Sequence, residues 1–132
     1  MMKDPKLILN LLFFFCLVAC GDGTSVSPLL IEAEKYMNER PDSALLLLDS
    51  IAHPENLSQE QNALWCLLLT QAQDKNIITP TSDSLINVAV DYFEKTDNME
   101  RKAQAYYCQG RVLTDMLLFD KAISGRNGTA NY

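Results

Sequence analysis

Residues 41–45, Pro-Asp-Ser-Ala-Leu, and residues 82–86, Ser-Asp-Ser-Leu-Ile, are two versions of one pattern in a chain of 132 residues. In each, Asp and Ser precede an apolar run with the period of an α-helix. Ala44 and Leu85 are 41 residues apart, and the next matching position, Ala122, follows after another 37. A repeat of this length with two helices per unit is typical of a helical solenoid. The spacing therefore predicts an all-α fold built from helix hairpins.

Helical periodicity recurs through residues 28–123, and almost no segment alternates with the period of a strand. The first and second helices are predicted to end before Pro41 and Pro54, because the residue preceding a proline avoids the α region. Ser58 and Gln61 match a capping box and predict the start of the third helix. That helix is apolar nearly all round, which predicts neighbours on several sides.

The fifth helix is predicted to begin near Asp97, after a fourth that opens at Asp83-Ser84. We expect it to bury one stripe against the rest of the domain. The stripe consists of Met99, Ala103, Tyr106, Gly110, Leu113 and Leu117. A turn is predicted at Leu118-Phe119-Asp120, and a short further helix is predicted to stop near Ser124.

Tyr106, Gly110 and Leu113 form a large-small-large series, and Phe119 and Ala122 follow as an aromatic and a small residue. This arrangement resembles tetratricopeptide repeats, in which a small residue lets paired helices cross closely. The resemblance implies a helix-hairpin solenoid of about two and a half repeats, with a non-catalytic role in protein binding.

The resemblance covers residues 28–123 unevenly. Ala44, Leu48 and Ile51 match the second helix of the first unit, whereas Leu69 occupies the small position of the middle unit. Two and a half repeats are fewer than the roughly three that usually give stability. The sequence-based hypothesis is therefore that the chain is a shortened version of a longer repeat protein.

Tetratricopeptide proteins hold a peptide in a concave groove lined by the first helix of each unit. Carried over by resemblance, the groove comprises Cys66, Thr70, Gln73, Gln104, Tyr107, Arg111 and Thr114. Tyr107 and Arg111 lie four residues apart on one helical face and suit a partner's aromatic or carboxylate group. The alternative interpretation is an ordinary solvated face.

The N-terminus has Lys3 and Lys6, an apolar run over residues 7–19 and then Cys20. A charged start, an apolar middle and small residues at the exit are typical of a secretory signal. Leu17-Val18-Ala19-Cys20 resembles the lipobox of bacterial lipoproteins, which implies cleavage before Cys20 and a lipid on its sulfur. The run is thirteen residues long, with Asn10 inside it, and is too short for a span of about 20. An ordinary signal cut after Ala19, or a buried helix, stays an alternative.

These features divide the chain into four predicted parts. They are a signal peptide at 1–19, a flexible tether at 20–27, the helical domain at 28–123 and a disordered tail at 124–132. The lipid implies a location in the bacterial cell envelope, anchored to a membrane and facing the periplasm or the cell surface. Several buried acyl chains bind a bilayer durably, whereas one binds marginally.

The composition excludes several function classes. The net charge is −6 and no basic stripe exists, which argues against a nucleic-acid partner. No spacing of Cys, Asp or the single His53 predicts a metal site, a cofactor or a catalytic centre. Cys66 and Cys108 lie in apolar helical patterns, and we interpret them as buried small hydrophobes, with a disulfide as the alternative.

The sequence thus predicts no enzyme and supports two functions. The first is a membrane-anchored lipoprotein that binds a protein or peptide partner of the envelope. The alternative is the truncated sensory ectodomain of a signalling or transcriptional regulator with tetratricopeptide repeats.

Overall fold

A computed structural model describes the backbone of residues 27–129 and the side chains of residues 28–126. The predicted signal peptide, the lipidation site Cys20 and all but the last residue of the tether lie outside the described residues. Regular structure in the described part is entirely helical, so the predicted all-α class is confirmed. The elements are α1 (Ser27–Tyr36), α2 (Pro41–Asp49), a 3₁₀ turn (Pro54–Asn56), α3 (Gln59–Lys75), α4 (Ser84–Phe93) and α5 (Met99–Thr129).

The helix starts follow the local sequence closely. Pro41 is the first residue of α2, where its missing N–H is not needed. The Ser58 hydroxyl accepts a hydrogen bond from the Gln61 N–H at 3.2 Å, which confirms the predicted cap of α3. At α5 the prediction was one residue out, because Asn98 rather than Asp97 accepts from the Arg101 N–H at 3.1 Å. Side-chain oxygens at these positions satisfy amides that the first turn leaves unpaired.

Helix α3 lies at the centre of the domain. Each helix packs against the next, and α3 also contacts α1 and α5. One core cluster joins α3 to α1 and α2 and includes Leu30, Leu48 and Leu68; the other joins α3 to α4 and α5 and includes Leu67 and Ile86. Fully burying an aliphatic side chain of this size contributes about 1.5–3 kcal/mol. The prediction that α3 is covered on several sides is confirmed.

Three side-chain contacts tie distant parts of the chain together. The Trp65 indole N–H donates to the Leu48 carbonyl at 3.1 Å, which fixes α3 against α2. The Asn76 amide donates to the Pro41 carbonyl at 2.9 Å and links the end of α3 to the start of α2. Arg101 makes a two-pronged contact with Glu34, with Nη2 to Oε2 at 2.9 Å, and joins α5 to α1. A guanidinium fork on a carboxylate fixes orientation as well as distance.

The predicted buried stripe of α5 is wrong. Met99, Tyr106, Leu113 and Leu117 are 69%, 44%, 48% and 55% exposed, and Ala103 and Gly110 are exposed as well. The helix buries a different face, formed by Ala105, Cys108 and Val112. Those side chains are smaller, so they let α5 approach α3 and α4 closely, whereas the stripe that is more apolar by composition faces away.

The predicted turn at Leu118-Phe119-Asp120 is also wrong, because α5 continues through it to Thr129. The segment from Leu113 to Ile123 contains neither proline nor glycine, so nothing in the local sequence ends the helix. Phe119 and Ala122 therefore continue α5 instead of opening a second helix that folds back on it. Residues 124–129, predicted as part of a tail, continue the helix, and residues 130–132 lie outside the described part.

Candidate binding groove between α3 and α5

A charged network joins the end of α3 to the middle of α5. Arg111 Nη2 lies 2.9 Å from Asp74 Oδ1 and 3.7 Å from Asp115 Oδ2. The hydrogen bond to Asp74 is the largest cause that raises the pKa of Arg111, so the guanidinium stays charged. Two carboxylates and one guanidinium leave a net negative charge. The network is partly exposed, so it can exchange its partners with those of a bound group.

A narrow cleft opens beside this network. Thr70, Gln73, Pro80 and Leu85 line it together with Arg111. The enclosed space is about 30 Å³, which holds roughly one or two water molecules. Pockets for drug-sized ligands measure about 300–1,000 Å³. The cleft is therefore too small for a substrate or an organic cofactor.

A larger and shallower depression, which we call the α3–α5 groove, continues from the cleft toward solvent. Its volume is about 430 Å³, and the Asp74–Arg111–Asp115 network forms its floor. Ile77, Ile78 and Thr79 form one wall, and Leu118 and Phe119 form the other. All four apolar wall residues are exposed. A charged floor between apolar walls suits several side chains of a peptide better than one compact ligand.

The backbone at Ile77 is strained. Its φ is 59°, the left-handed region that costs a β-branched residue roughly 1–2 kcal/mol. Hydrogen bonds hold the segment, with the Ile77 N–H donating to the Asp74 carbonyl at 3.1 Å and the Ile78 N–H donating to the Gln73 carbonyl at 2.9 Å. The Ile77 side chain is 91% exposed, so no core packing repays the strain. The two bonds are the Schellman pattern that often ends a helix in a left-handed residue, so the strain belongs to the C-terminal cap of α3.

The structure brings three of the seven groove residues expected from the resemblance to one place. Thr70 and Gln73 line the narrow cleft, and Arg111 lines both the cleft and the α3–α5 groove. Cys66 is buried in the core.

The other three lie elsewhere on α5. Gln104 accepts a hydrogen bond from Arg101 at 3.1 Å, while Tyr107 and Thr114 are exposed and do not line the groove. The i,i+4 pair of Arg111 and Asp115 could have been found from sequence, since such pairs meet on a helix. Asp74 could not, because it reaches Arg111 only through the packing of α3 on α5.

The two cysteines among the described residues, Cys66 and Cys108, do not form a reactive site. Cys66 and Cys108 are both free and buried in the same core cluster. Burial raises the pKa of each thiol to about 11, so the nucleophilic thiolate is scarce at neutral pH. The structure therefore agrees with the interpretation of both as small hydrophobes, not with a disulfide between them.

The single histidine, His53, pairs with a neighbouring side chain in its own loop. Its Nδ1 lies 3.0 Å from Glu55 Oε1, and both side chains are exposed. A hydrogen bond with its own backbone, followed by the one with His53, lowers the pKa of Glu55. Among the described residues, no group of three or more His, Cys, Asp or Glu side chains could hold a metal ion. None of the helices within residues 27–129 combines the length and the apolar character that crossing a membrane requires.

Comparison of the chain with protein-family models, with curated proteins and with solved structures finds no match.

Proposed function

We propose that this chain is a lipid-anchored, non-catalytic binding protein of the bacterial cell envelope, and that the α3–α5 groove holds a peptide segment of a protein partner. The observation that carries the proposal is the groove itself. Its charged floor at Asp74, Arg111 and Asp115 lies between exposed apolar walls. Ile77, in one of those walls, is 91% exposed.

We further propose that the helices form tetratricopeptide-like repeats. In this arrangement α1 with α2 and α3 with α4 are the first two units, and α5 is the first helix of a third. The contacts of α3 with both α1 and α5 support the proposal, since first helices of successive units are neighbours in such a solenoid. The groove then lies between two first helices, where proteins of that class hold peptides.

The chemistry of the groove indicates the kind of segment that fits it. The floor carries one more negative than positive charge, so a Lys or Arg side chain is favoured there over a carboxylate. Apolar side chains on either side of that residue would cover Ile77 and Leu118. We expect a basic residue flanked by aliphatic or aromatic ones, in extended or helical form.

The groove is tested by capturing partners from envelope extracts with the immobilised chain. Arg111→Glu reverses the charge of the floor, and Leu118→Asp places a charge on one wall. Leu46→Asp is the matched control, because Leu46 is an exposed leucine of α2 outside the groove. We expect a partner that the parent chain and Leu46→Asp retain and that the two groove variants lose. Retention of every specific partner by Arg111→Glu would overturn the assignment.

The anchor is tested separately. Cells that produce the chain are labelled with a fatty acid, and the parent is compared with Cys20→Ala. We expect label on the parent and none on the variant. Equal labelling, or an unprocessed N-terminal methionine on exported protein, would contradict the lipoprotein assignment and leave the groove unaffected.

A further inference from the structure

The stripe on α5 that faces away from the domain has a regular spacing. Its members are Met99, Ala103, Tyr106, Gly110, Leu113 and Leu117, separated by four, three, four, three and four residues. This is a heptad pattern, which is typical of a seam between two helices that coil around each other. The domain leaves the stripe exposed, and a Cβ atom placed at Gly110 would meet nothing within 4 Å. The seam thus lacks its second helix in a single copy of the described chain.

From this pattern we infer that a second copy of the chain covers the stripe, with its α5 antiparallel to the first. The inference does not depend on the groove, since Arg111 and Leu118 project from other sides of α5. It uses only the stripe and the residues at its edges.

The sizes of the stripe residues favour this occupant and this direction. With the two helices crossing near Cys108, Met99 of one copy faces Leu117 of the other, and Ala103 faces Leu113. Tyr106 likewise faces Gly110, so each small residue lies opposite a large one. A parallel pairing would set Gly110 against Gly110 and Tyr106 against Tyr106, which leaves a gap at one level and a collision at the other.

Charged residues along one edge of the stripe also favour the antiparallel orientation. Glu100 follows Met99 at the beginning of α5, and Lys121 lies beyond Leu117 near its end; both are exposed. In the antiparallel pair, Glu100 of one copy and Lys121 of the other occupy the same edge, about 7.5 Å apart along the axis. Two long side chains span that distance, and the two-fold symmetry forms the pair twice. In a parallel pair Glu100 and Lys121 lie about 32 Å apart along the axis and cannot meet.

The length of the seam indicates how tightly the two copies should associate. From Met99 to Leu117 the stripe extends about 27 Å at 1.5 Å per residue. One helix pair of this length buries less surface than the roughly 1,200–2,000 Å² of stable interfaces. We therefore expect a weak, reversible dimer, which attachment of both copies to one membrane would favour by raising their effective concentration.

Cross-linking in cells that produce the full chain tests the inference. In the antiparallel pair, the two copies of residue 107 lie about 3 Å apart along the axis, whereas the two copies of residue 121 lie about 39 Å apart. Tyr107→Cys is therefore expected to give a dimer with a short bismaleimide, and Lys121→Cys is not. The parent chain, whose Cys66 and Cys108 are buried, gives the background.

Gly110→Gln, added to Tyr107→Cys, separates the seam from the fold. Gln is a better helix former than Gly, and a Cβ atom at this position meets no neighbour within a single copy, so the helix content should be kept or rise. In the dimer it displaces the second copy's Tyr106, and we expect the cross-link to disappear. Leu46→Asp is the control, since it alters an exposed leucine of α2 outside both the stripe and the groove and should leave the cross-link intact.

Three results would overturn the inference. A dimer from both Tyr107→Cys and Lys121→Cys would indicate a parallel pair. No dimer above background, or one that Gly110→Gln leaves unchanged, would show that the stripe is not paired with itself. A product whose mass is not twice that of the chain would assign the stripe to a different partner.

Discussion

Helices α3 and α5 are both rich in apolar residues, but the fold treats them in opposite ways. Helix α3 buries seven of its 17 residues, and Leu67, Leu68 and Leu69 are among them. The described part of α5, in a helix of 31 residues, buries only the hydrophobic side chains of Ala105, Cys108 and Val112 and leaves larger ones exposed. The two helices differ in their neighbours. Helix α3 packs against α1, α2, α4 and α5, whereas α5 packs against α3 and α4 and reaches α1 through the Arg101–Glu34 contact.

The comparison teaches that apolar content does not by itself say where the core is. A helix with neighbours on every side buries all its faces, and a helix at the end of a stack buries one. Which face is buried depends on how closely the neighbours approach, and small side chains allow the closest approach. The exposed side of α5 is then available for other contacts, and both proposals above use it.

The comparison is tested most strongly in the middle of α3. Leu68→Ala removes a fully buried side chain, and we expect the free energy of unfolding to fall by about 2–5 kcal/mol. Leu117→Ala on α5 should change it by no more than about 0.5 kcal/mol. Urea unfolding followed by circular dichroism, at a concentration low enough to avoid association, measures both. Equal losses would mean that the two helices are equally buried in solution.

A smaller effect is expected where α3 meets α2. Trp65→Phe keeps a ring in the core but leaves the Leu48 carbonyl without its donor. We expect a loss of about 1–3 kcal/mol in the free energy of unfolding. The denaturant slope should stay the same, because the surface exposed on unfolding hardly changes. A loss near zero would indicate that water replaces the indole and that this side of α3 is less closed than the structure indicates.

At the loop that follows α3, a substitution should stabilise the protein. Ile77→Gly removes a left-handed β-branched residue, and we expect a gain of about 0.5–1 kcal/mol after the extra entropy of glycine in the unfolded chain is subtracted. Ile78→Gly is the control, because the φ of Ile78 is not positive, and it should destabilise slightly. The same two variants in the partner capture show whether the stored strain serves binding. Destabilisation by Ile77→Gly would mean that the left-handed backbone at Ile77 is not strained.

The smallest effect concerns the beginning of α5. Arg101→Gln breaks the contact with Glu34 that joins α5 to α1, and we expect a loss of about 0.5–1 kcal/mol. The side chains are 20% and 40% exposed, so solvent screens the pair and the value is kept low. A double-mutant cycle with Glu34→Gln isolates the interaction, and added salt should reduce it. Zero coupling would mean that only the core of α3 and α4 holds α5 in place.

The sequence predicted the helices well where local chemistry decides them. Prolines and caps predicted where α2 and α3 begin. The periodicity of Ala44, Leu48 and Ile51 predicted the buried positions in α2 and just after it. It failed in α5, where two apolar faces compete on one helix and periodicity does not rank them. The groove was predicted in part, since Arg111, Thr70 and Gln73 follow from the resemblance, but Asp74 and the wall at Ile77 and Ile78 do not.

The amino-acid sequence by itself determined that the domain is helical, where most of its helices begin, and that α3 has to be surrounded. These properties depend on contacts between residues a few positions apart, together with the burial of a helix that is apolar on all sides. Only the tertiary structure decided which face of α5 is buried and that Asp74 binds Arg111. Those outcomes depend on how closely α3, α4 and α5 approach one another, and residues 37 positions apart, such as Asp74 and Arg111, meet only when that packing is complete.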